Sequence, residues 1–93
     1  MGDETLNIAD IPFTDGAIQY RYSRYMSDDG IGWIRHGLFC TYHPNGNLAS
    51  EGSYEHGNEH GLWKDFYDDG SLAAEGQFEN GKEVGEWRYF DKV

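Results

Sequence analysis

The stretch GLWKDFYDDGSLAAEGQFENGKEV, residues 61–84, repeats the stretch GLFCTYHPNGNLASEGSYEHGNEH, residues 37–60. Ten of the 24 aligned positions are identical. At three further positions one aromatic residue replaces another: Phe39/Trp63, Tyr42/Phe66 and Tyr54/Phe78. A third copy opens at Gly85. Self-similarity at a period of about 20 to 50 residues indicates a repeat architecture, in which each unit buries its apolar face against its neighbours. Stacked repeats build surfaces more often than active sites.

Each unit alternates aromatic-rich segments with turn signals. Asn-Gly and Asp-Gly pairs favour the positive φ angles that two-residue hairpin turns require. Such pairs occur at Asn45-Gly46, Asp69-Gly70 and Asn80-Gly81, and His56-Gly57 takes the equivalent place. No glycine-free stretch shows apolar residues at helical spacing. The chain is therefore predicted to be all-β, an elongated antiparallel sheet of three to four successive hairpins.

The repeats define the domain organisation. We predict an acidic N-terminal arm over residues 1–12 and one repeat domain over residues 13–93. The domain divides into a degenerate unit, two repeats and a truncated unit, at residues 13–36, 37–60, 61–84 and 85–93. The turn glycines Gly16 and Gly46 are 30 residues apart instead of 24, so the first hairpin is longer or carries an insertion near residues 31–33. Terminal repeats are often atypical because they cap an open edge.

The strand register leaves two interpretations open. Trp63 and Phe66 differ in parity, as do Phe39 and Tyr42. Successive side chains of a flat strand point to opposite faces of the sheet. Either a bulge brings these aromatic residues to one face, or both faces of the sheet are partly covered.

The charge of the chain restricts its partners. The sequence has 17 Asp and Glu against 7 Lys and Arg, which gives a formal net charge of −10. A field of this sign repels phosphate backbones and anionic lipid head groups and attracts basic proteins. We therefore expect a basic protein partner and neither nucleic acid nor a membrane surface. The alternative is that the acidic surface only keeps a small protein soluble.

The candidate contact residues are acidic or aromatic. Glu55 recurs as Glu79 and Glu59 as Glu83, so stacked hairpins would align these carboxylates in rows that face a basic partner, or that form only a solvated rim. Glu51 and Glu75, each followed by glycine, are interpreted as acceptors for turn amides. Aromatic residues at repeat positions are assigned to the core, whereas four near the N-terminus lie outside the frame. The predicted partner-binding set is Glu55, Glu59, Glu79, Glu83, Asp68, Asp69, Tyr20, Tyr22, Tyr25 and Trp33.

The sequence carries no motif for catalysis, a cofactor or a metal. Cys40 is the only cysteine, so neither an intramolecular disulfide nor a thiolate-rich metal site is expected. His56 and His60 would share a face on a helix, but the neighbouring glycines place them in a loop between strands. The N-terminus lacks the basic and apolar segments of a secretory signal. We expect a non-enzymatic, cytoplasmic protein that needs no cofactor or metal.

The pattern G-x-W-x-x-F/Y-x-x-x-G-x-L-x-x-E-G-x-F/Y-x-x-G-x-x-x-G is complete at residues 61–85 and has Phe39 in place of Trp at 37–61. This pattern resembles the variant MORN repeat, a β-hairpin repeat. The resemblance implies successive hairpins with glycines at the bends and aromatic residues stacked on one side. Small bacterial proteins that look like this are often described as antitoxins or immunity proteins, and larger eukaryotic relatives use MORN arrays as scaffolds or membrane-proximal modules. The resemblance thus implies that a cognate toxin is bound and blocked. A scaffold that forms homo-oligomers through its edge strand is the alternative.

Overall fold

Every strand of the protein pairs with its neighbours in sequence. The structure, a computed structural model, describes residues 6–92. These residues form one antiparallel sheet in sequential strand order and contain no helix. The strands are β1 (Asn7–Pro12), β2 (Ile18–Met26), β3 (Trp33–Tyr42), β4 (Leu48–Glu55), β5 (Asn58–Phe66), β6 (Leu72–Glu79) and β7 (Lys82–Tyr89). The extents of 48 × 38 × 17 Å are those of a single layer. The predicted all-β sheet of successive hairpins is confirmed.

Three connections at one edge of the sheet share a conformation. The loops at residues 13–17, 43–47 and 67–71 each place Asp or Asn third, and its Oδ1 accepts a hydrogen bond of 2.9 Å from the N–H two residues later. A glycine at φ 92–94° follows. We call this border of the sheet, where these loops join the ends of the strands, the Asx-turn edge; it is distinct from the edge strands β1 and β7. The predicted two-residue turns at Asn45-Gly46 and Asp69-Gly70 are wrong, because the Asx side chain closes a five-residue loop in which only the glycine has a positive φ.

The opposite edge, the short-turn edge, carries the two-residue turns His56-Gly57 and Asn80-Gly81. All four of these residues have positive φ, as the prediction requires. The β2–β3 hairpin ends at the same edge in a longer loop, residues 27–32. This longer β2–β3 hairpin accounts for the 30-residue spacing between the turn glycines Gly16 and Gly46.

The N-terminal segment belongs to the sheet. Residues 7–12, predicted to lie in an arm, instead form β1 and pair along β2 from Asn7↔Arg24 to Pro12↔Ile18. Ala9 is buried, and Asp10 forms an ion pair of 2.8 Å with Arg21. Residues 1–5 of the predicted arm, and Val93 of the last predicted unit, lie outside the described residues.

One face of the sheet carries a continuous stack of rings. We call it the aromatic face, and its stack consists of Tyr22, Phe39, Tyr54, Trp63, Phe78 and Trp87. Neighbouring ring centroids along the stack lie between 5.2 and 6.0 Å apart. Trp63 is only 8% exposed. The repeat glycines Gly52 and Gly76 lie beneath the indoles of Trp63 and Trp87, because a Cβ at either glycine would come within 2.1 Å of the ring. Aromatic packing against glycine is therefore the core of each repeat.

The opposite face carries a row with one residue per strand. The row consists of Asp10, Arg21, Cys40, Glu51, Lys64, Glu75 and Arg88. Glu51 and Glu75 thus lie within strands, each opposite Lys64, and the interpretation that they accept from turn amides is wrong. Burial and the neighbouring Cys40 raise the pKa of the Tyr42 hydroxyl above its ordinary value, and the positive charge of Arg21 opposes this shift. Phe39 joins the aromatic stack, whereas Tyr42 lies with this row on the opposite face. Both faces of the sheet are therefore partly covered.

Asp65 has no charge partner among the described residues, so its carboxyl group provides a test of how desolvation in the sheet affects stability. It lies opposite Ser50 and the buried Ala74; its side chain as a whole is exposed, but partial desolvation of the carboxyl group raises its pKa above the ordinary 3.8. A raised folded-state pKa means that ionisation of Asp65 disfavours the folded state, and this penalty disappears as the pH falls through that pKa.

We expect Asp65→Asn to raise the melting temperature at pH 7 and to lose this advantage below about pH 4. Thermal unfolding of both proteins across pH 3–7 measures the effect. Asp28→Asn, in the exposed 27–32 loop, removes the same charge and serves as the control. An equal gain from the control at pH 7 would show that relief of net charge, and not burial, is responsible.

Candidate protein-binding surface

The short-turn edge gathers four of the predicted acidic residues. Glu59 lies opposite Tyr54 in the register, and Glu83 lies opposite Phe78. Because directly opposed residues project to the same side of a sheet, both carboxylates belong to the aromatic face. Alternation along β4 and β6 sends the residues after Tyr54 and Phe78 to the other side. The structure thus places Glu59 and Glu83 on one face of this edge, and Glu55 and Glu79 on the other.

These carboxylates are largely without internal partners. Within residues 6–92, Glu59, Glu79 and Glu83 form no ion pair, and Glu55 lies 4.0 Å from His60 Nδ1. The negative charge of Glu59 adds to burial in raising the pKa of the Tyr54 hydroxyl. Carboxylates without an ion pair contribute a local negative field that attracts cations.

The predicted contact residues Asp68 and Asp69 lie at the other edge. Asp68 forms an ion pair of 2.8 Å with Lys92, which holds the pKa of the Asp68 carboxyl below its ordinary value. Asp69 accepts hydrogen bonds from the N–H and hydroxyl of Ser71, which lower its pKa. Strands of eight residues separate the two edges by roughly 26 Å. The structure therefore does not bring Asp68 and Asp69 together with the glutamates.

The four predicted N-terminal aromatic residues are spread along the first hairpin. The rings of Tyr20 and Tyr22 lie 6.3 and 6.0 Å from Phe39, so they extend the aromatic face. Trp33 begins β3 at the short-turn edge and is 46% exposed. Tyr25 is also at this edge, where its hydroxyl lies 2.7 Å from His56 Nδ1. Trp33 and Tyr25 are thus near the glutamates, and Tyr20 is nearer to the Asx-turn edge.

A small polar cluster fixes the His56 turn. The His56 N–H donates to His36 Nδ1 at 3.0 Å, and the two imidazoles are 4.5 Å apart. Tyr25 contacts both rings edge-on. These contacts hold His56 in its left-handed conformation at φ 48°. Nowhere in residues 6–92 do three or more His, Cys, Asp or Glu side chains meet in a group suited to a metal ion.

Two arginines at the short-turn edge were missed by the reasoning from sequence. Arg24 and Arg35 lie directly opposite each other on β2 and β3. The guanidinium carbon of Arg35 is 5.0 Å from the ring centroid of Tyr22, so Arg35 also belongs to the aromatic face. The 24-residue period contained the signal, because position 35 recurs as Glu59 and Glu83 and the charge at this repeat position is therefore inverted in the first hairpin.

Comparison with known families agrees with this architecture. Residues 35–56 and 59–80 each match the family model described as MORN repeat variant. The two matches coincide with the β3–β4 and β5–β6 hairpins and the turns that join them. No curated protein and no solved structure shows a significant match to the chain. None of the described residues belongs to a helix that is long and apolar enough to cross a membrane.

Proposed function

We propose that the chain, in which two segments match the variant MORN repeat, acts as a non-enzymatic immunity protein or antitoxin. In this proposal it binds a basic cognate toxin in the cytoplasm and blocks it. The partner class comes from the resemblance to small bacterial proteins of this kind. The proposed surface is the short-turn edge, which combines carboxylates with the exposed side chain of Trp33.

The observation that supports this proposal is the unequal pairing of acidic residues. Asp10 and Asp68 are neutralised by Arg21 and Lys92 at 2.8 Å, whereas Glu59, Glu79 and Glu83 form no ion pair within residues 6–92. Unpaired charges at the rim of an interface accelerate association and select partners of opposite sign. Trp33, exposed at the same edge on β3, supplies the aromatic anchor that interfaces favour.

The spacing of the carboxylates suggests how a toxin is blocked. Glu59 and Glu83 lie on β5 and β7, two strand spacings or roughly 10 Å apart. Two carboxylates at this separation engage two basic side chains of a cleft at once. Where that cleft ordinarily holds a phosphate-bearing substrate, the carboxylates take the place of its charges and occlude it.

The first test is capture of the partner. The protein is immobilised, incubated with extract of its source cells at low and moderate salt, and the retained proteins are identified by mass spectrometry. The proposal expects one basic protein, retained in near equimolar amount and weakened by salt, whose toxic activity is inhibited. A partner that is acidic, or whose activity is unaffected by binding, would contradict it.

The second test reverses charge at the predicted surface. We expect Glu59→Lys/Glu83→Lys to weaken binding of the captured toxin at least tenfold, because attractive contacts become repulsive. Titration calorimetry at two salt concentrations measures the loss. Glu86→Lys/Asp91→Lys makes the same change in net charge on and after β7, away from these positions, and should reduce affinity less than threefold. Similar losses from both variants would mean that net charge alone governs binding.

Self-association is a second candidate function, supported by the outer side of β7. This side is unpaired within residues 6–92, Tyr89 next to it is 74% exposed, and Trp87 Nε1 is buried without a hydrogen-bond partner there. An unpaired strand edge is a template for pairing with another copy. Light scattering separates the candidates, because a salt-resistant dimer favours self-association and a monomer that gains mass only with its partner favours toxin binding.

A further inference from the structure

Arg24 and Arg35 form a pair of like charges held on aromatic rings. They are directly opposed on β2 and β3, an arrangement that is unfavourable for like charges. The guanidinium carbon of Arg24 lies 4.1 Å from the ring centroid of Trp33. That of Arg35 lies 5.0 Å from the centroid of Tyr22 and 5.6 Å from that of Tyr54. Stacking on ring faces orients both groups. One N–H group of Arg35 is directed to the Tyr54 hydroxyl, and the guanidinium fork keeps further N–H groups as donors.

Neither arginine is neutralised by the described part of the chain. Arg21, Arg88 and Lys92 each lie within 4.0 Å of a carboxylate oxygen. Arg24 and Arg35 have no such partner within residues 6–92, although the sequence contains 17 Asp and Glu. Arg24 Nε is moreover buried from solvent without an acceptor. An unsatisfied buried donor on a charged group is unfavourable. Because this Nε is inaccessible, a ligand meets the Arg24 guanidinium at its terminal N–H groups.

An open cleft adjoins Arg35, and Arg24 contacts one of its walls, the ring of Trp33. It has a volume of about 410 Å³ and is lined by Tyr22, Trp33, Ile34, Arg35, His56 and Gly57. The cleft offers aromatic walls and a guanidinium edge, which suits a side chain with an apolar stem and a planar anionic end. A Glu or Asp side chain has this form, and its carboxylate matches the guanidinium fork.

We propose that the Arg24–Arg35 cleft binds a carboxylate side chain of the partner protein. The inference rests on the proposed function for the existence of a protein partner and adds a contact of opposite sign to it. A polyanion such as nucleic acid or an anionic membrane is repelled by the net charge of −10, whereas a single carboxylate on a basic protein reaches the cleft without that penalty.

The position of the cleft indicates that this contact fixes the orientation of the partner. Along the short-turn edge of the aromatic face, Arg35, Glu59 and Glu83 follow one another on β3, β5 and β7, in steps of roughly 10 Å. A partner that presents one acidic and two basic groups at that spacing fits in one direction only. The reversed orientation brings like charges together, so the arginine pair fixes the register of the complex.

The test observes the arginine side chains directly in the isolated full chain. The Nε–Hε signals of Arg24 and Arg35 are followed by nitrogen-15 NMR at neutral pH and low salt during titration with the peptide acetyl-Gly-Glu-Glu-Gly-amide. The matched control peptide is acetyl-Gly-Gln-Gln-Gly-amide, and Arg21 and Arg88 are the internal controls. We expect saturable shifts of Arg24 and Arg35 with the Glu peptide alone, at millimolar affinity, and about fivefold weaker binding to Arg35→Lys, which keeps the charge but not the fork.

Several results would overturn the inference. Equal shifts at all four arginines would indicate unspecific screening, and an equal response to the Gln peptide would remove the role of the carboxylate. Tighter saturation by inorganic phosphate, or by anionic phospholipid vesicles at matched ionic strength, would assign the cleft to another ligand. Because no toxin is present in these titrations, their failure is distinct from a failure of the capture experiment.

Discussion

Replacing Gly52 by alanine is expected to destabilise the protein by about 3 kcal/mol or more, although the change adds a single methyl group. The added Cβ would lie 2.1 Å from Cδ2 of Trp63, far inside van der Waals contact. Overpacking in a core costs about 1–3 kcal/mol, and displacement of a buried Trp costs about 3–5 kcal/mol. A domain of this size has a total stability of about 5–15 kcal/mol, so the loss takes a large part of it.

A double-mutant cycle shows whether the indole is the cause. If Gly52→Ala acts by expelling Trp63, the same substitution in a Trp63→Ala background meets open space. There it should stabilise the protein by about 0.5–1 kcal/mol, because alanine loses less backbone entropy than glycine on folding. Urea unfolding followed by circular dichroism gives the four free energies of unfolding. Additive effects would mean that the close approach of Gly52 to Trp63 is not the reason why glycine is required.

Gly32→Ala is the matched control for this cycle. Gly32 lies in the 27–32 loop, has no atom within 4 Å of its added Cβ and does not have a positive φ. We expect its free energy of unfolding to stay within about 0.5 kcal/mol of the original. Repeat glycines at Gly16, Gly46 and Gly70 are unsuitable controls, because their positive φ alone makes a side chain strained there.

The period of the sequence accounts for much of this fold. The 24-residue repeat predicts equivalent hairpins, and equivalent aromatic residues such as Trp63 and Trp87 must then lie two strands apart on the same face. The two-residue turns His56-Gly57 and Asn80-Gly81 follow from the need for two successive positive φ angles. These are local rules, in which few residues decide the conformation.

The features that could not be predicted depend on contacts between strands. The register shifts where β4 meets β5, between Glu51 and Ser53, and where β6 meets β7, between Glu75 and Gln77, next to Gly52 and Gly76. Parity alone therefore cannot assign every side chain to a face. Asn7–Pro12 lacks the repeat pattern, so its pairing with β2 could not be recognised.

The acidic residues of the candidate site could be predicted from the sequence, but its arginines could not. Glu59 and Glu83 recur at the repeat spacing, so they can be aligned without a structure. Arg24 and Arg35 are 11 residues apart in sequence and become opposed only through the longer β2–β3 hairpin. Their lack of a carboxylate partner is a property of the folded surface, which no spacing rule expresses.

Trp63→Ala is expected to destabilise the protein by about 3–5 kcal/mol, whereas Trp87→Ala should cost only about 1–2 kcal/mol, although the two residues occupy equivalent repeat positions. Trp63 is in the middle of the stack and contacts Phe39, Tyr54 and Phe78. Its indole N–H also donates to the carbonyl of Ser53 at 3.1 Å. Trp87 contacts the ring of Phe78 alone within the described stack and has no acceptor for its Nε1.

The two variants should also differ in how the sheet opens, because each repeat contacts only its neighbours. Loss of Trp63 separates the hairpins on either side and lowers protection of amides throughout the sheet. Loss of Trp87 releases β7 alone, so hydrogen exchange should accelerate in residues 82–89 while β3 and β4 keep their protection. Far-UV circular dichroism in urea gives the free energies without relying on tryptophan fluorescence, which both substitutions alter. Equal losses with uniform exchange would show that the sheet unfolds as one cooperative unit in which position along the stack has no influence.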